Sequence, residues 1–309
     1  MFYDLIIIGG GPAGAAAGVY ASRKKIKTIL MAPDFGGQSS VSADVQNFVG
    51  IISLSGNELA ERLKKHVEAY AGDVLDIKDG LRATSVKKIL GGFEVVTDTN
   101  DVFQTKTVLV CAGSSRRKLK VPGADRLDNR GISYCATCDA PLFSGQDVVV
   151  IGGGNAGFES AQQLLIYCPS VILLEFGTTF RADPVTVEQV SKNPKFKAIT
   201  NTETVEIKGE NRVEAIVYKD RIGGEVHELK IGGVFVEIGS IPNSSMVKDL
   251  CTLDAYGQII VDHKTQRTST EGIWAAGDVS DVLYKQNNIS MGDAVKALED
   301  IYLYLQKSK

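Results

Sequence analysis

The stretch Cys135-Ala136-Thr137-Cys138-Asp139 holds the residue types and spacing that most directly permit chemistry. Two cysteines at this spacing can close a small ring with little strain, and so local a disulfide opens and closes without refolding the chain. One thiolate can attack an incoming disulfide while the other resolves the mixed disulfide, at a rate governed by thiolate fraction and access. Asp139, adjacent to the pair, is a candidate proton donor or acceptor for the sulfurs. The competing chemistry is half of a zinc site, which needs a second CxxC or paired histidines. His66, His227 and His263 stand singly, and Cys111, Cys168 and Cys251 form no close pair, so the ligand count favours redox chemistry and no metal. Five cysteines at irregular spacings also argue against a structural disulfide framework. Cys111, at an apolar strand end, and Cys168, after an apolar helix, read as packing residues. Cys251 has no assignment.

A second kind of chemistry is anion binding, and its signature occurs twice. Leu5 to Ile8 reads as a strand, followed by Gly9-Gly10-Gly11-Pro12-Ala13-Gly14 and a helix of small residues through Ala21. Val148 to Ile151 reads as another strand, followed by Gly152-Gly153-Gly154-Asn155-Ala156-Gly157 and a helix through Leu165. In such a loop the first glycine permits the tight turn, the second lets backbone approach a pyrophosphate, and the third lets helix pack closely on strand. The phosphate then meets free N–H groups and the favourable dipole at the helix start. One GxGxxG is weak evidence; two, each between a strand and a helix, predict two dinucleotide-binding units.

The residue ending the next strand faces the adenine ribose in such units, and an acid there accepts from its hydroxyls. In the second unit Val171-Ile172-Leu173-Leu174 is that strand and Glu175 ends it. A carboxylate would repel a 2′-phosphate, and Phe176 to Phe180 holds no basic pair to receive one, with Arg181 the only nearby cation. NADH is therefore expected over NADPH. In the first unit, Thr28-Ile29-Leu30-Met31 is followed by Ala32-Pro33-Asp34, making Asp34 the less direct candidate for a ribose.

Around these motifs, Gly56 to Tyr70 reads as an amphipathic helix, Gly92 to Thr97 and Thr105 to Val110 as strands, and Val205 to Leu229 as a further β-rich stretch. Gly272-Ile273-Trp274-Ala275-Ala276-Gly277-Asp278 comes late, before a terminal helix over Ser290 to Leu305. If that late motif belongs with the first loop, the second unit is an insertion in the first. The expected fold is α/β, with two Rossmann-like, three-layer ββα nucleotide-binding domains: residues 1–116 with 244–309, and residues 117–243 carrying the CxxC.

Composition agrees with this class. The 309 residues suit two domains, and 44% hydrophobic residues with 32 glycines and 8 prolines describe a globular chain rich in tight turns. A net charge of −3 and no long basic run mark no nucleic-acid partner; Arg116-Arg117-Lys118 reads as a solvated loop. The opening Met1-Phe2-Tyr3-Asp4 has no basic leader, and Leu5 to Ile8 is too short to span a bilayer, so a cytoplasmic protein without a membrane anchor is expected.

The two glycine loops, Gly36-Gly37-Gln38, the CxxC-Asp motif and Ala275-Ala276-Gly277-Asp278 occur in an order, across almost the whole chain, that resembles bacterial thioredoxin reductase of low molecular weight. Leu173 to Asp183, Tyr218-Lys219-Asp220-Arg221 and Tyr284-Lys285-Gln286 look closer still to the reductase portion of the flavoprotein component of alkyl hydroperoxide reductase, a relative that prefers NADH. The resemblance implies FAD in the first domain, with Gly9, Gly11, Pro12, Ala13 and Gly14 at the pyrophosphate and Asp278, beside Gly277, at the ribityl and phosphate side. Asp34, Gly37, Gln38, Asn47, Gly113, Lys285 and Gln286 are further expected FAD positions. The pyridine nucleotide is expected at Gly152, Gly154, Asn155, Ala156, Gly157, Glu175 and Arg181. The same resemblance implies that Cys138 lies against the flavin while Cys135 attacks the partner disulfide. It also implies a homodimer, and a domain rotation with hinges near Arg116 to Pro122 and Gly239 to Asn243.

Electrons would pass from NADH, or NADPH, through FAD to the dithiol and on to a separate thioredoxin-like or glutaredoxin-like protein, or into a peroxiredoxin system. The sequence departs from the resemblance in lacking the basic NADPH motif after Leu174. It departs again in placing Asn287-Asn288 where related chains carry apolar residues, which would alter the flavin environment. Three alternatives have distinct signatures: a ferredoxin-dependent enzyme, disfavoured by the intact second loop; a redox-sensing or nucleotide-binding module without turnover; and a peroxide-forming flavin oxidase, which needs no dithiol. Steady-state kinetics are expected to give a higher kcat/KM with NADH than with NADPH, and Glu175→Ala is expected to erode that preference.

Overall fold

The computed structural model describes residues 2–42 and 45–307, an α/β chain in two compact units. One unit is Met1–Ser115 with Ile241–Lys309 and the other is Arg116–Ser240. The chain passes between them along Ser114–Arg116 and Ser240–Pro242, which pair as a two-stranded ladder.

The first unit is built on Phe2–Gly10, which lies parallel between Thr28–Phe35 and Val102–Val110 in a seven-stranded sheet. Its apolar run divides by the period-two alternation of a strand. Leu5 and Ile7 join a core with the helices Pro12–Arg23, Gly56–Ala71 and Asn287–Lys307, whereas Ile6 and Ile8 join Val86, Phe93 and Val95 on the other side. Burial on both faces explains why the strand is uninterruptedly apolar. Gly56–Ala71 starts where expected because Ser55 Oγ accepts from the Glu58 amide at 3.2 Å. Thr28–Phe35 runs four residues beyond the expected end at Met31, so Asp34 lies within the strand and not in a loop after it. The terminal helix likewise begins at Asn287, three residues before Ser290.

The second unit holds an all-parallel five-stranded sheet in the spatial order Phe196–Ile199, Val171–Leu174, Val148–Ile151, Gly233–Val236 and Ile132–Ser133. Val148 and Val150 pack with the helix Asn155–Leu164 through Phe158, Ala161 and Leu164. Val149 and Ile151 pack on the opposite side with Ile207, Ile216 and Tyr218 of the antiparallel sheet Thr202–Lys208, Ala215–Asp220 and Val226–Lys230. In each unit the central parallel strands therefore pack against helices on one side and against antiparallel strands on the other, those of the first unit being a continuation of the same sheet.

The repeat between units extends to backbone conformation. Gly9 and Gly152 both have φ of 117°, a region that favours glycine. A Cβ on Gly14 would overlap the Gly9 carbonyl oxygen, and one on Gly157 would overlap that of Gly152. Since both obstacles are backbone, Gly14→Ala and Gly157→Ala should each destabilise the fold by about 2 kcal/mol or more in thermal or denaturant unfolding. A change within about 0.5 kcal/mol would show that helix and strand can separate at no cost.

Candidate functional site

Cys135 and Cys138 are joined as a disulfide with Cα atoms 5.3 Å apart. Cys135 caps the short helix Ala136–Asp139, its Sγ accepting from the Cys138 amide at 3.2 Å. Asp139 is held by a residue that sequence reasoning missed. Ser133, at the end of Ile132–Ser133, donates from Oγ to Asp139 Oδ2 at 2.6 Å and accepts at the same oxygen from the Cys135 amide at 3.1 Å. The hydroxyl thus fixes both the backbone of one redox cysteine and the neighbouring carboxyl. Burial pushes the Asp139 carboxyl above the usual carboxylate range, against the lowering effect of the Ser133 bond. The only signal in sequence was proximity, a strand-end serine two residues before the pair.

The second glycine loop leads into Asn155–Leu164, whose N-cap Gly154 provides no side-chain cap. A Cβ on Gly154 would meet nothing within 4 Å. The space over the helix start is open, and its first amides have the free end that an anion would cap. Asn155 Oδ1 accepts from the Asp183 amide at 2.8 Å, and Ala156 is exposed. Gly153 O accepts from the Arg181 amide at 2.9 Å while that residue remains exposed.

Glu175 does end the strand beside this loop, but it is buried rather than directed to solvent. Its two carboxylate oxygens accept from the Gly153 and Gly177 amides, each at 2.6 Å, which ties the acid to the glycine loop itself. The expectation that Arg181 is the only cation near this segment is corrected by the fold. Arg221, following Ala215–Asp220, donates from Nη1 to the Phe176 carbonyl at 2.8 Å and stacks 3.7 Å over the Phe176 ring. Strand pairing brings it across 45 residues of sequence, beyond the reach of local motif reading. It lies in the Tyr218-Lys219-Asp220-Arg221 segment, which supplied a signal without a position.

In the first unit the helix Pro12–Arg23 follows N-cap Gly11, which also lacks a side-chain cap, and Ala13 and Gly14 are buried behind it. Gly37, with φ of 58°, lies near this loop: a Cβ on Gly11 would come 3.8 Å from its Cα. Gln38 is exposed in the short 3-10 helix Gly37–Val41, and Asp34 is an exposed residue of Thr28–Phe35. Asn47 and Gln286 meet directly, Nδ2 donating to Oε1 at 3.2 Å. Gly113 has φ of 64°, in the left-handed region, with open space where a Cβ would lie. Gly277, φ 76°, precedes Asp278, whose Oδ1 accepts from Ser290 Oγ at 3.4 Å. Lys285 Nζ donates to the Asp278 and Ser280 carbonyls at 3.1 and 2.8 Å, fixing the turn behind them.

The atypical Asn287-Asn288 pair gains a structural account. Ser39 Oγ donates to Asn287 Oδ1, Asn288 Nδ2 donates to the Asn47 carbonyl, and the Val49 amide donates to Asn288 Oδ1. These side chains fasten the start of the last helix to the 3-10 helix Gly37–Val41 and to residues 47–49, a task apolar residues could not perform.

The remaining cysteines are buried and free. Burial pushes all three thiols up, Cys168 to about 11, so thiolate character falls. Among the described residues there is no group of three or more His, Cys, Asp or Glu arranged to hold a metal, and no helix is long and apolar enough to cross a membrane.

Residues 3–297 match the family described as pyridine nucleotide-disulphide oxidoreductase. The chain is 38% identical over 303 residues to an alkyl hydroperoxide reductase component of Staphylococcus aureus, covering 98% of this chain and 59% of that protein. It is 37% identical over 308 residues to the corresponding alkyl hydroperoxide reductase component of Escherichia coli, covering 99% and 59%. The chain thus spans about three fifths of the length of these curated relatives. Among solved structures, thioredoxin reductase from Streptococcus pyogenes superposes with a TM-score of 0.90 at 32% identity, and that from Giardia duodenalis with 0.91 at 30%, each over 99% of both chains. With the match running through both glycine loops and the disulfide, the chain belongs to the pyridine nucleotide-disulphide oxidoreductase family.

Proposed function

We propose that the chain is a flavoprotein that draws electrons from a pyridine nucleotide and delivers them through Cys135 and Cys138 to a protein disulfide. The observation that carries this reading is the local Cys135–Cys138 disulfide in the same unit as an uncapped glycine-loop helix. FAD is assigned to the unit containing Gly9 to Gly14, where the uncapped helix start, the nearby Gly37 and the Asn47–Gln286 pair fit a bound dinucleotide. NADH is assigned to the second loop. A Glu175 carboxylate oxygen has lone pairs beyond the one each backbone amide uses, so it can also accept from ribose hydroxyls. A 2′-phosphate would meet that carboxylate at close range, while the Arg221 guanidinium is engaged by Phe176.

The chemistry a bound flavin supplies is a two-electron relay between nicotinamide and dithiol. The chain's own residues manage the sulfur and proton steps. Opening the disulfide takes up two electrons and two protons, and a raised Asp139 carboxyl held by Ser133 is suited to give or take one proton beside the sulfurs. The Cys138 amide that donates to Cys135 Sγ would favour a thiolate there. That thiolate attacks the partner disulfide, forming one S–S bond and releasing one partner thiolate. Cys138 then attacks Cys135 Sγ, releasing the second partner thiolate and restoring the internal disulfide. A thioredoxin-like or glutaredoxin-like protein is the proposed acceptor. The similarity to the hydroperoxide reductase components favours a second reading, an NADH-driven supply to a peroxiredoxin system.

Replacing Cys135 or Cys138 by Ser should lower NADH-dependent reduction of a thioredoxin disulfide on the order of a thousandfold or more. Flavin reduction by NADH should persist in both variants; NADH oxidation by oxygen to peroxide at full rate in Cys138→Ser would point to an oxidase instead. Gly154→Ala should leave thermal stability within about 0.5 kcal/mol, since its Cβ meets open space, while weakening nucleotide binding about tenfold or more. Unchanged affinity in that variant would remove the pyrophosphate from this loop.

A further inference from the structure

The two glycine loops share their backbone, but differ in what lies beside the turn. A Cβ on Gly9 would strike the carbonyl of Cys111, the residue after Val102–Val110, and a Cβ on Gly152 would strike that of Glu237, the residue after Gly233–Val236. Cys111 and Glu237 are thus counterparts. Three residues past the last loop glycine stand Ala17 in one helix and Ser160 in the other. The first unit fills these positions with a buried thiol and a buried methyl. The second replaces both, and the replacements pair: Ser160 Oγ donates to Glu237 Oε1 at 2.6 Å.

Sheet order gives this pair its meaning. From Val148–Ile151 the sheet extends to Val171–Leu174 on one side and to Gly233–Val236 on the other, and ligands bind outside the carboxyl ends of strands where the order reverses in this way. Glu175 follows one flanking strand and Glu237 the other. The two acids bracket the loop, with Glu175 tied to its Gly153 amide and Glu237 tied to the helix through Ser160.

We propose that Glu237 is a proton-linked positioning residue for the dinucleotide: held by Ser160 beside the second glycine loop, its neutral carboxyl admits the diphosphate and its ionised form opposes it. This rests on the reading that the second unit binds a pyridine nucleotide. Burial, the largest influence, pushes the carboxyl up to about 7; the Ser160 bond and the charge of Arg116 pull it down, and the charge of Glu159 pushes it up. The group is therefore mainly neutral below that pH and mainly ionised above it. Binding a diphosphate beside it favours the neutral form, so binding takes up a proton and affinity falls as pH rises through this range.

The test uses the whole 309-residue chain with its flavin and NAD+ as probe, which binds without reducing the flavin and lacks a 2′-phosphate that would itself titrate. Calorimetry between pH 6 and 8, in buffers of different ionisation enthalpy, reads Kd and proton uptake together. Kd is expected to rise up to about tenfold from pH 6 to pH 8, with net proton uptake. Glu237→Gln should abolish both, keeping at pH 8 an affinity near that of the unaltered protein at pH 6. Ser160→Ala removes a donor that favours the ionised form, so it should move the midpoint to higher pH; it carries the test should Glu237→Gln not fold. A pH-independent Kd, the same slope and proton uptake in Glu237→Gln, or an unmoved midpoint in Ser160→Ala would overturn the inference. Absence of NAD+ binding at every pH would instead overturn the nucleotide assignment beneath it.

Discussion

A helix can follow a strand through so short a loop only if nothing larger than hydrogen separates the last loop glycine from the carbonyl of the first. Gly14 against Gly9 and Gly157 against Gly152 meet that condition, and much of each unit depends on it. Close approach brings the helix onto the apolar strand, where Leu5 and Ile7 in one unit and Val148 and Val150 in the other complete a core. It also leaves Gly11 and Gly154 as N-caps without side chains, in contrast with Ser55 and Asp183, which cap the helices Gly56–Ala71 and Pro184–Ser191. The same packing that stabilises the fold thus leaves amides open at the two places where phosphates are proposed to bind.

The dithiol is set on firmer ground than its position in a short helix suggests. Ile132–Ser133 is the edge strand of the parallel sheet, and its serine hydroxyl fixes both Asp139 and the Cys135 amide. Mixed-disulfide exchange needs one sulfur accessible and the other near, and a two-way serine contact can hold that geometry while the S–S bond opens. The second glycine loop belongs to the same sheet through Val148–Ile151. Sheet rigidity therefore links the elements proposed to receive and to release electrons.

Much of this organisation is legible in sequence because its causes are local. Strand, glycine loop and helix occupy contiguous residues, so both βαβ starts can be read directly, and the spacing of Cys135 and Cys138 permits the disulfide that the structure contains. What escapes reading comes from long-range pairing. Arg221 reaches Phe176 through the antiparallel sheet, and Asn288 reaches Asn47 across 241 residues. Glu175 is identifiable as the strand-end acid, but its engagement by Gly153 and Gly177 depends on the folded path of both segments. Ser133 carries no motif at all. Its role emerges only when a strand end and a helix end meet, and the extended strand that encloses Asp34 likewise follows from the pairing of Phe35 with Gly10 of Phe2–Gly10 rather than from local propensity.

The most direct test follows electrons to their proposed exit. Purified protein is treated anaerobically with NADH while flavin absorbance and accessible thiols are recorded together. Bound FAD that accepts electrons, with two new thiols per chain that vanish from the titre in Cys135→Ser/Cys138→Ser, is the predicted result. A colourless protein that takes up no flavin, or a flavin that is reduced while the thiol titre never changes, would contradict the account.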